Sequence, residues 1–216
     1  MTRRFNPAEI PPAPDLSYES KLWAGGLLQV AGLDEAGRGA WAGPVCAAAV
    51  VLPAGDQVRR LLSGVRDSKQ MLPAARERWA AEIRSAAAAW GVGFASHLEI
   101  DQMGIVPATR LAMQRALLNC ACGPQNLLVD ALALPDISLP QTALIKGDAR
   151  SLGIAAASVL AKTARDQLPG ELDQSYPGYG FARHKGYGTA AHRNAIEQLG
   201  ACEIHRKSFA PFRLQA

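Results

Sequence analysis

The stretch "LLQVAGLDEAGRGAWAGPV", residues 27–45, joins an apolar segment, two adjacent carboxylates and a glycine-rich loop. Its apolar beginning, residues 27–33, predicts a β-strand, and "VCAAAVVLP" from Val45 predicts a second one. The loop between them is too short for a crossover helix, so we expect an antiparallel hairpin. Asp34 and Glu35 would then stand at the end of the first strand.

The rest of the chain alternates predicted helices and strands. The helices are expected at residues 72–91, 107–121 and 149–166, and the strands at residues 92–100, 126–130 and 142–145. This order predicts an α/β fold with a five-stranded mixed sheet flanked by helices, in which the first, fourth and fifth strands lie side by side. The last helix is so rich in Ala, Gly and Ser that we expect another element to approach its backbone closely.

Three regions are expected along the chain. Residues 1–20 contain several prolines and predict an extended N-terminal arm. Residues 21–167 form the α/β core, and residues 168–216 form a small, basic, helical C-terminal appendage. With 216 residues and 49% hydrophobic composition, the chain can bury the core of one ordinary domain.

Charge and composition narrow the class of protein. The net charge is +4, and the segment from Arg183 to Lys207 carries five Arg or Lys against two Glu, which favours an anionic partner such as nucleic acid. No segment is apolar enough for a membrane span or a secretion signal, so we expect a cytoplasmic protein. The four cysteines form no CxxC pair, and we expect reduced thiols that pack as small apolar groups.

Carboxylates follow three of the predicted strands: Asp34 with Glu35, then Asp130, then Asp148. Neighbouring strands lie about 5 Å apart, so carboxylates at matching ends fall within reach of one metal site. Such oxygen ligands favour Mg²⁺ or Mn²⁺. Two ions about 4 Å apart activate water and stabilise the leaving oxygen in phosphodiester hydrolysis.

Each carboxylate also has a structural explanation. Asp148 could be the N-cap of the helix after it, and Asp130 could be a turn residue. Asp34 and Glu35 are harder to explain in this way, because adjacent strand residues point to opposite faces. The joint occurrence of all these carboxylates after three apolar strands favours the metal site.

The glycine-rich loop predicts an anion-binding element. Gly37 and Gly39 allow backbone N–H groups to approach a ligand, and Arg38 between them supplies a fork of donors.

These residues belong to a longer series of motifs. In order, they are "GLDEAGRGAWAGPV", "DSK" at 67–69, "AM" at 112–113, "VD" ending at Asp130, "KGD" ending at Asp148, "IAAASVLAKTARD", "YPGYGF", "HKGYGT" and "IHRKSF". The series resembles that of the ribonuclease HII family over residues 27–212.

The resemblance implies a ribonuclease H-like fold and a metal-dependent endonuclease. Its substrates would be RNA–DNA hybrids and duplex DNA that contains single ribonucleotides, with cleavage on the 5′ side of the ribonucleotide to leave a 3′-hydroxyl and a 5′-phosphate. This activity would serve ribonucleotide removal from DNA. The cofactors would be two Mg²⁺ or Mn²⁺ ions.

The resemblance also assigns roles to residues of this chain. Asp34, Glu35, Asp130 and Asp148 match the catalytic, metal-binding carboxylates. The loop Gly37-Arg38-Gly39 matches the element that contacts the ribose 2′-hydroxyl, the group that distinguishes RNA from DNA. Tyr187 matches a tyrosine that packs on the sugar at the junction. The other expected substrate contacts are Ser68, Lys69, Lys146, His184, Lys185 and Arg206.

Three positions depart from the family pattern. Ala131 stands where the family usually has glycine, Gly153 where serine is more frequent, and Pro169 where methionine is usual. The proline is expected to break or redirect the chain where the appendage begins.

Two other classes of protein could use parts of this sequence. A nucleic-acid binding module without catalysis would gain from neutral groups in place of the four carboxylates. A zinc-binding interaction protein would use His184, His192 and His205, whose spacing fits no common zinc pattern. We expect a monomer, and a sliding clamp is a conceivable partner that no residue pattern supports. The two phenylalanines of the terminal "FAPFRLQA" are expected to pack on the body of the protein.

Overall fold

A five-stranded mixed sheet forms the centre of the protein in a computed structural model that describes residues 10–213. The strands are β1 (Val30–Ala36), β2 (Val45–Val51), β3 (Ala89–Ala95), β4 (Asn126–Asp130) and β5 (Gln141–Leu144). Their order across the sheet is β3-β2-β1-β4-β5. β1 pairs antiparallel with β2, which confirms the predicted hairpin. It pairs parallel with β4, and β4 pairs parallel with β5, so the first, fourth and fifth strands lie side by side as predicted. The predicted fold class is therefore confirmed.

Helices cover both faces of the sheet. They are α1 (Ser17–Ala24), α2 (Asp56–Leu61), α3 (Pro73–Ala86), α4 (His97–Met103), α5 (Ile105–Cys120), α6 (Leu152–Ser175), α7 (Phe181–His184), α8 (Ala190–Leu199) and α9 (Ala210–Arg213). The buried apolar residues of α6 and α3 pack on one face of the sheet, and those of α5 pack on the other. No helix among the described residues is both long and apolar enough to cross a bilayer.

The Ala/Gly/Ser-rich helix α6 lies against β1 at very short range. A Cβ atom added to Gly32 would lie 2.2 Å from the carbonyl carbon of Gly153. Gly153 itself faces Glu19, because an added Cβ would lie 3.0 Å from Glu19 Oε1. The close approach expected for this helix is thus confirmed, and its partner is the strand that carries Asp34.

The region around β3 differs from the prediction. Residues 89–91 belong to the strand instead of the preceding helix, because Gly91 lies so close to α5 that a Cβ would meet Ala116 O at 2.4 Å. The strand predicted to reach residue 100 is wrong beyond Ala95. Ser96 and Glu99 form a capping box there, with Ser96 N donating to Glu99 Oε2 at 2.8 Å, and it starts α4.

The N-terminal region is more ordered than an extended arm. Ser17–Ala24 form α1, and the buried Glu19 accepts hydrogen bonds from Ser151 Oγ at 2.6 Å and from Gly153 N at 2.9 Å. These contacts attach α1 to the first turn of α6. The predicted arm differs from the structure over residues 17–20, and residues 1–9 lie outside the described part of the chain.

The prediction of a break at position 169 is wrong. α6 runs to Ser175, across the boundary predicted at residue 168. Proline removes only one hydrogen-bond donor from a helix. The last turns of α6 are held in place because Leu172 packs against the apolar cluster of Tyr179 and Phe181.

The C-terminal appendage packs against the loop between β1 and β2. Isolated bridges join Ala40 to Tyr187 and Ala42 to His205. Phe212 is buried and lies edge-on to Trp41, with ring centroids 6.4 Å apart. This agrees with the expected packing of the terminal phenylalanines.

Ala131 is strained at the end of β4. Its φ is +50°, in the left-handed region that glycine adopts without penalty and alanine does not. The departure from glycine at this position therefore has a structural cost directly after Asp130.

We predict that Ala131→Gly stabilises the protein by about 1 kcal/mol, because the left-handed conformation costs alanine roughly that much. Thermal unfolding checks this as a higher Tm. Ala133→Gly, at an exposed position outside the left-handed region, is the control and should lower the Tm or leave it unchanged. An unchanged or lower Tm for Ala131→Gly would contradict the strain.

Candidate active site

The parallel pairing of β1 and β4 brings two carboxylates together. Leu33 lies opposite Val129 in the register, so the next residues, Asp34 and Asp130, are neighbours across the two strands. Asp34 is buried and lies within β1, two residues before its end, and not after the strand as the sequence predicts. The strand begins at Val30 and extends three residues past Leu33.

Asp148 reaches the same place from a short 3₁₀ turn, Gly147–Ala149, after β5. The N-cap of α6 is Ser151, whose hydroxyl accepts from Ile154 N, so Asp148 is not the helix cap. The turn also fixes Asp130, because Gly147 N donates to Asp130 Oδ1 at 2.6 Å.

One oxygen each from Asp34, Asp130 and Asp148 lies within 4.8 Å of the others, and among residues 10–213 these are the three that form such a group. The fourth predicted ligand, Glu35, stands beside this triad and outside it. Its Oε1 lies 3.4 Å from Arg38 Nη1. The structure thus brings three of the four predicted ligands into one cluster.

Burial and mutual repulsion raise the pKa values of these groups. Burial raises the pKa of Asp34 well above its usual range, and the charges of Glu35 and Asp130 raise it further. Burial also raises the pKa of Asp130, and it raises that of Asp148 to about 6 with help from the Asp130 charge. Lys69 is a compensating cation, with its Nζ 3.8 Å from Asp148 Oδ2.

The donor set fits a divalent cation. Asp34 Oδ2 and Glu35 Oε2 are buried and have no hydrogen-bond partner in the described chain. A buried, unpartnered carboxylate oxygen is costly unless a cation neutralises it. Clustered oxygen ligands match the preference of Mg²⁺ and Mn²⁺.

The loop of residues 37–44 lies next to this cluster in sequence and carries the predicted Gly37-Arg38-Gly39 element. Gly37 has a φ of +86°, and a Cβ there would also lie 2.0 Å from Arg165 Nε. Both facts require glycine. Arg38 and Gly39 are exposed at the tip of the loop.

Two buried guanidinium groups lie under this loop. Arg206, predicted to contact a phosphate, is fully buried and donates to the carbonyls of Gly37, Arg38 and Gly43 at 2.8, 2.9 and 2.9 Å. Arg165 is also buried and donates to Ala42 O at 3.0 Å and to Pro44 O at 3.1 Å. All three donor nitrogens of Arg206 serve the loop, so the structure does not leave it free for a phosphate.

Tyr187 lies beside the same loop through the bridge of its backbone to Ala40. Two cations stand near its ring: Lys162 Nζ at 5.4 Å from the centroid and Arg165 Cζ at 5.9 Å. The side chain is half-buried, and its role at the sugar stays a prediction.

The remaining predicted substrate contacts divide into two groups. Lys69 and Lys146 are exposed and Lys185 is half-buried, so all three are accessible. Ser68 and His184 are buried. Ser68 Oγ lies 2.8 Å from Ser158 Oγ, and His184 Nε2 lies 2.8 Å from Tyr179 O, so their polar atoms already have partners inside the protein.

The three histidines of the zinc alternative do come together, but as a hydrogen-bonded core. His192 Nδ1 bonds to Tyr187 O at 3.0 Å, and its Nε2 bonds to His205 Nε2 at 3.1 Å. His205 Nδ1 approaches Cys202 N at 2.9 Å. Because these ring nitrogens have protein partners, the cluster does not offer a set of metal ligands. Instead it links the segments around Tyr187 and His205, which both pair with the loop.

Sequence reasoning missed Arg165 and Lys162. Both lie in the "LAKTARD" part of α6, where a cation on a helix normally predicts a solvated surface. Their i, i+3 spacing, which places them on one face, was the available signal.

Comparisons with known proteins show the family of this chain. The model of the family described as Ribonuclease HII matches residues 31–212. The chain belongs to the ribonuclease HII family. A ribonuclease HII of Chloroflexus aurantiacus is 55% identical over 92% of this chain and 94% of its own length.

Further ribonucleases HII match most of the chain at lower identity. That of Dehalococcoides mccartyi is 50% identical over 96% of this chain and 97% of its own. The solved PCNA:RNase HII complex from Archaeoglobus fulgidus contains a chain that is 26% identical, with a TM-score of 0.71 over 87% of this chain and 98% of that one. This chain therefore has the activity of the family, that of a ribonuclease HII. Its acidic cluster could hold the metal.

We predict that Asp148→Asn stabilises the metal-free protein at pH 8 by about 1 to 2 kcal/mol, after allowance for solvent screening. The pKa of Asp148 rises from 3.8 to about 6 on folding, so the folded state binds more protons in that window. Stability therefore falls as the pH rises through it, and the amide removes this penalty.

Chemical denaturation with a chelator at pH 8 and at pH 4 measures the effect. The gain should vanish near pH 4, where the carboxyl group is protonated in the folded protein. Asp136→Asn, in the exposed turn between β4 and β5, is the matched control. An equal gain at both pH values would contradict repulsion within the triad.

Proposed function

We propose that this ribonuclease HII cleaves the phosphodiester on the 5′ side of ribonucleotides, both in RNA–DNA hybrids and at single ribonucleotides in duplex DNA. The products would be a 3′-hydroxyl and a 5′-phosphate. The observation that carries the proposal is the carboxylate triad of Asp34, Asp130 and Asp148, in which Asp34 lies three residues before a glycine-rich loop suited to contact ribose. A role in removing ribonucleotides from DNA follows from this activity.

Asp34, Asp130 and Asp148 would hold Mg²⁺ or Mn²⁺, with Glu35 as a further ligand once substrate is bound. Two such ions supply the activation of water and the stabilisation of the leaving oxygen. The chain's own part is to hold the three carboxylates in fixed positions through the strand register and the Gly147 N–H bond to Asp130. Lys69, with its ammonium beside Asp148, would bind the phosphate next to the cleaved bond.

Selection of ribonucleotides would depend on the loop. Gly37, Arg38 and Gly39 would contact the 2′-hydroxyl and the adjoining phosphates, and Tyr187 would pack on the sugar. The 2′-hydroxyl can both donate and accept a hydrogen bond, so backbone groups can distinguish it from the hydrogen of DNA. Lys146 and Lys185, which are accessible, would bind phosphates farther along the duplex.

The partners proposed are nucleic acids. The archaeal relative was solved with PCNA. In this chain Phe209 is partly buried against the core and Phe212 is buried. That this protein is a monomer and is cytoplasmic stays a prediction.

Cleavage of three labelled duplexes tests the proposal: all-DNA, DNA with one ribonucleotide, and DNA with a full RNA strand. We expect cleavage of the last two with Mg²⁺ or Mn²⁺, none with chelator, and a cut on the 5′ side of the lone ribonucleotide. Asp34→Asn should lower the rate by at least about a hundredfold, since losing even an outer-shell partner of a metal costs up to that much.

Asp136→Asn is the control and should retain the parent's rate. Substantial cleavage by Asp34→Asn would contradict the role of the triad. Equal cleavage of the all-DNA duplex would contradict recognition of the ribose.

A further inference from the structure

Arg206 is the side chain most fully committed to the glycine-rich loop. Its exposed fraction is 0%, and each of its guanidinium nitrogens donates to a loop carbonyl: Nη2 to Gly37, Nη1 to Arg38 and Nε to Gly43. Its backbone N–H donates to Trp41 O at 2.8 Å. One residue thus fixes the orientation of four peptide groups in a loop of eight residues.

Holding the carbonyl of a peptide group also orients the N–H of the next residue. The peptide bonds are trans, and in a trans peptide group the C=O and N–H bonds point in opposite directions. The carbonyls of Gly37 and Arg38 point inward to Arg206, so the N–H groups of Arg38 and Gly39 point outward. Arg38 and Gly39 are exposed at the loop tip, where these donors can meet a ligand.

The electrostatic cost of this arrangement is high. A buried cation is destabilising unless it is paired, and Arg206 donates to neutral carbonyls. Asp101 attracts it but accepts its own hydrogen bonds from Lys207 and Ser208. A second buried cation, Arg165, lies nearby and holds the carbonyls of Ala42 and Pro44. An apolar side chain would fill the same space at lower cost, so space filling does not explain the guanidinium.

We propose that Arg206 is a positioning residue that directs the N–H groups of Arg38 and Gly39 towards the ribose 2′-hydroxyl and thereby sets the preference for ribonucleotides. This rests on the proposed function of the loop. The planar guanidinium matches the requirement, because it presents donors in fixed directions to several carbonyls at once, which a lysine ammonium cannot do.

The test is a binding preference, the Kd for an all-DNA duplex divided by the Kd for the same duplex with one ribonucleotide. All proteins carry Asp34→Asn, so that neither duplex is cut. We expect the parent to prefer the ribonucleotide duplex by about tenfold, the value of one to two net hydrogen bonds. Arg206→Lys should bring the ratio close to one.

Unfolding of part of a preparation raises both apparent Kd values by the same factor. Their ratio is therefore unaffected by a general loss of stability. Arg115→Lys is the matched control. Arg115 donates to Phe94 O and to Glu99 on the α5 side of the sheet, and its loss should lower the Tm while the ratio is retained. Arg165→Lys provides a second variant under the same loop and should also lower the ratio.

An unchanged ratio in a folded Arg206→Lys protein overturns the inference, and so does an equal fall in Arg115→Lys. If neither Arg206→Lys nor Arg165→Lys folds, the two arginines support the appendage as a whole and the positioning role is rejected. A parent ratio of one instead rejects the proposed function of the loop itself, which separates the two failures.

Discussion

The parallel pairing of β1 with β4 is the constraint on which the rest of the site depends. With Leu33 opposite Val129, Asp34 and Asp130 become neighbours, and a shift of one residue would turn one of them to the other face of the sheet. The register is held on the α6 side by direct backbone contact at Gly32 and Gly153. The same small residues that make α6 unusual in composition therefore keep the carboxylates in place.

Charge is handled differently on the two sides of the active site. On the strand side, three carboxylates are crowded until their pKa values rise, and this repulsion favours the binding of divalent cations. On the loop side, two arginines are buried beneath neutral carbonyls. The protein thus accepts an electrostatic cost twice, once to create affinity for metal and once to orient backbone donors.

Much of this was predictable from the sequence, for identifiable reasons. Apolar runs and loop lengths indicated the hairpin, the mixed sheet and the grouping of Asp34, Asp130 and Asp148, because these depend on local patterns. They placed Asp34 after the strand, whereas it lies within β1. The roles of Arg206 and Ser68 were not predictable in this way. A basic or hydroxyl residue in a polar motif suggests a surface contact. Only the folded chain shows that Arg206 returns to the loop, 163 to 169 positions after the residues whose carbonyls it holds. The end of β3 is different in kind, since the Ser96–Glu99 capping box that ends it is itself a local sequence pattern.

The central claim is that one metal site is assembled from Asp34, Asp130 and Asp148. Anomalous diffraction from crystals grown with Mn²⁺ and an uncleavable ribonucleotide duplex tests it most directly. The account predicts an anomalous peak in contact with one oxygen of each of the three carboxylates, on the side that faces the loop of residues 37–44. Ordered manganese elsewhere, with none among these carboxylates at a concentration that supports cleavage, would contradict it.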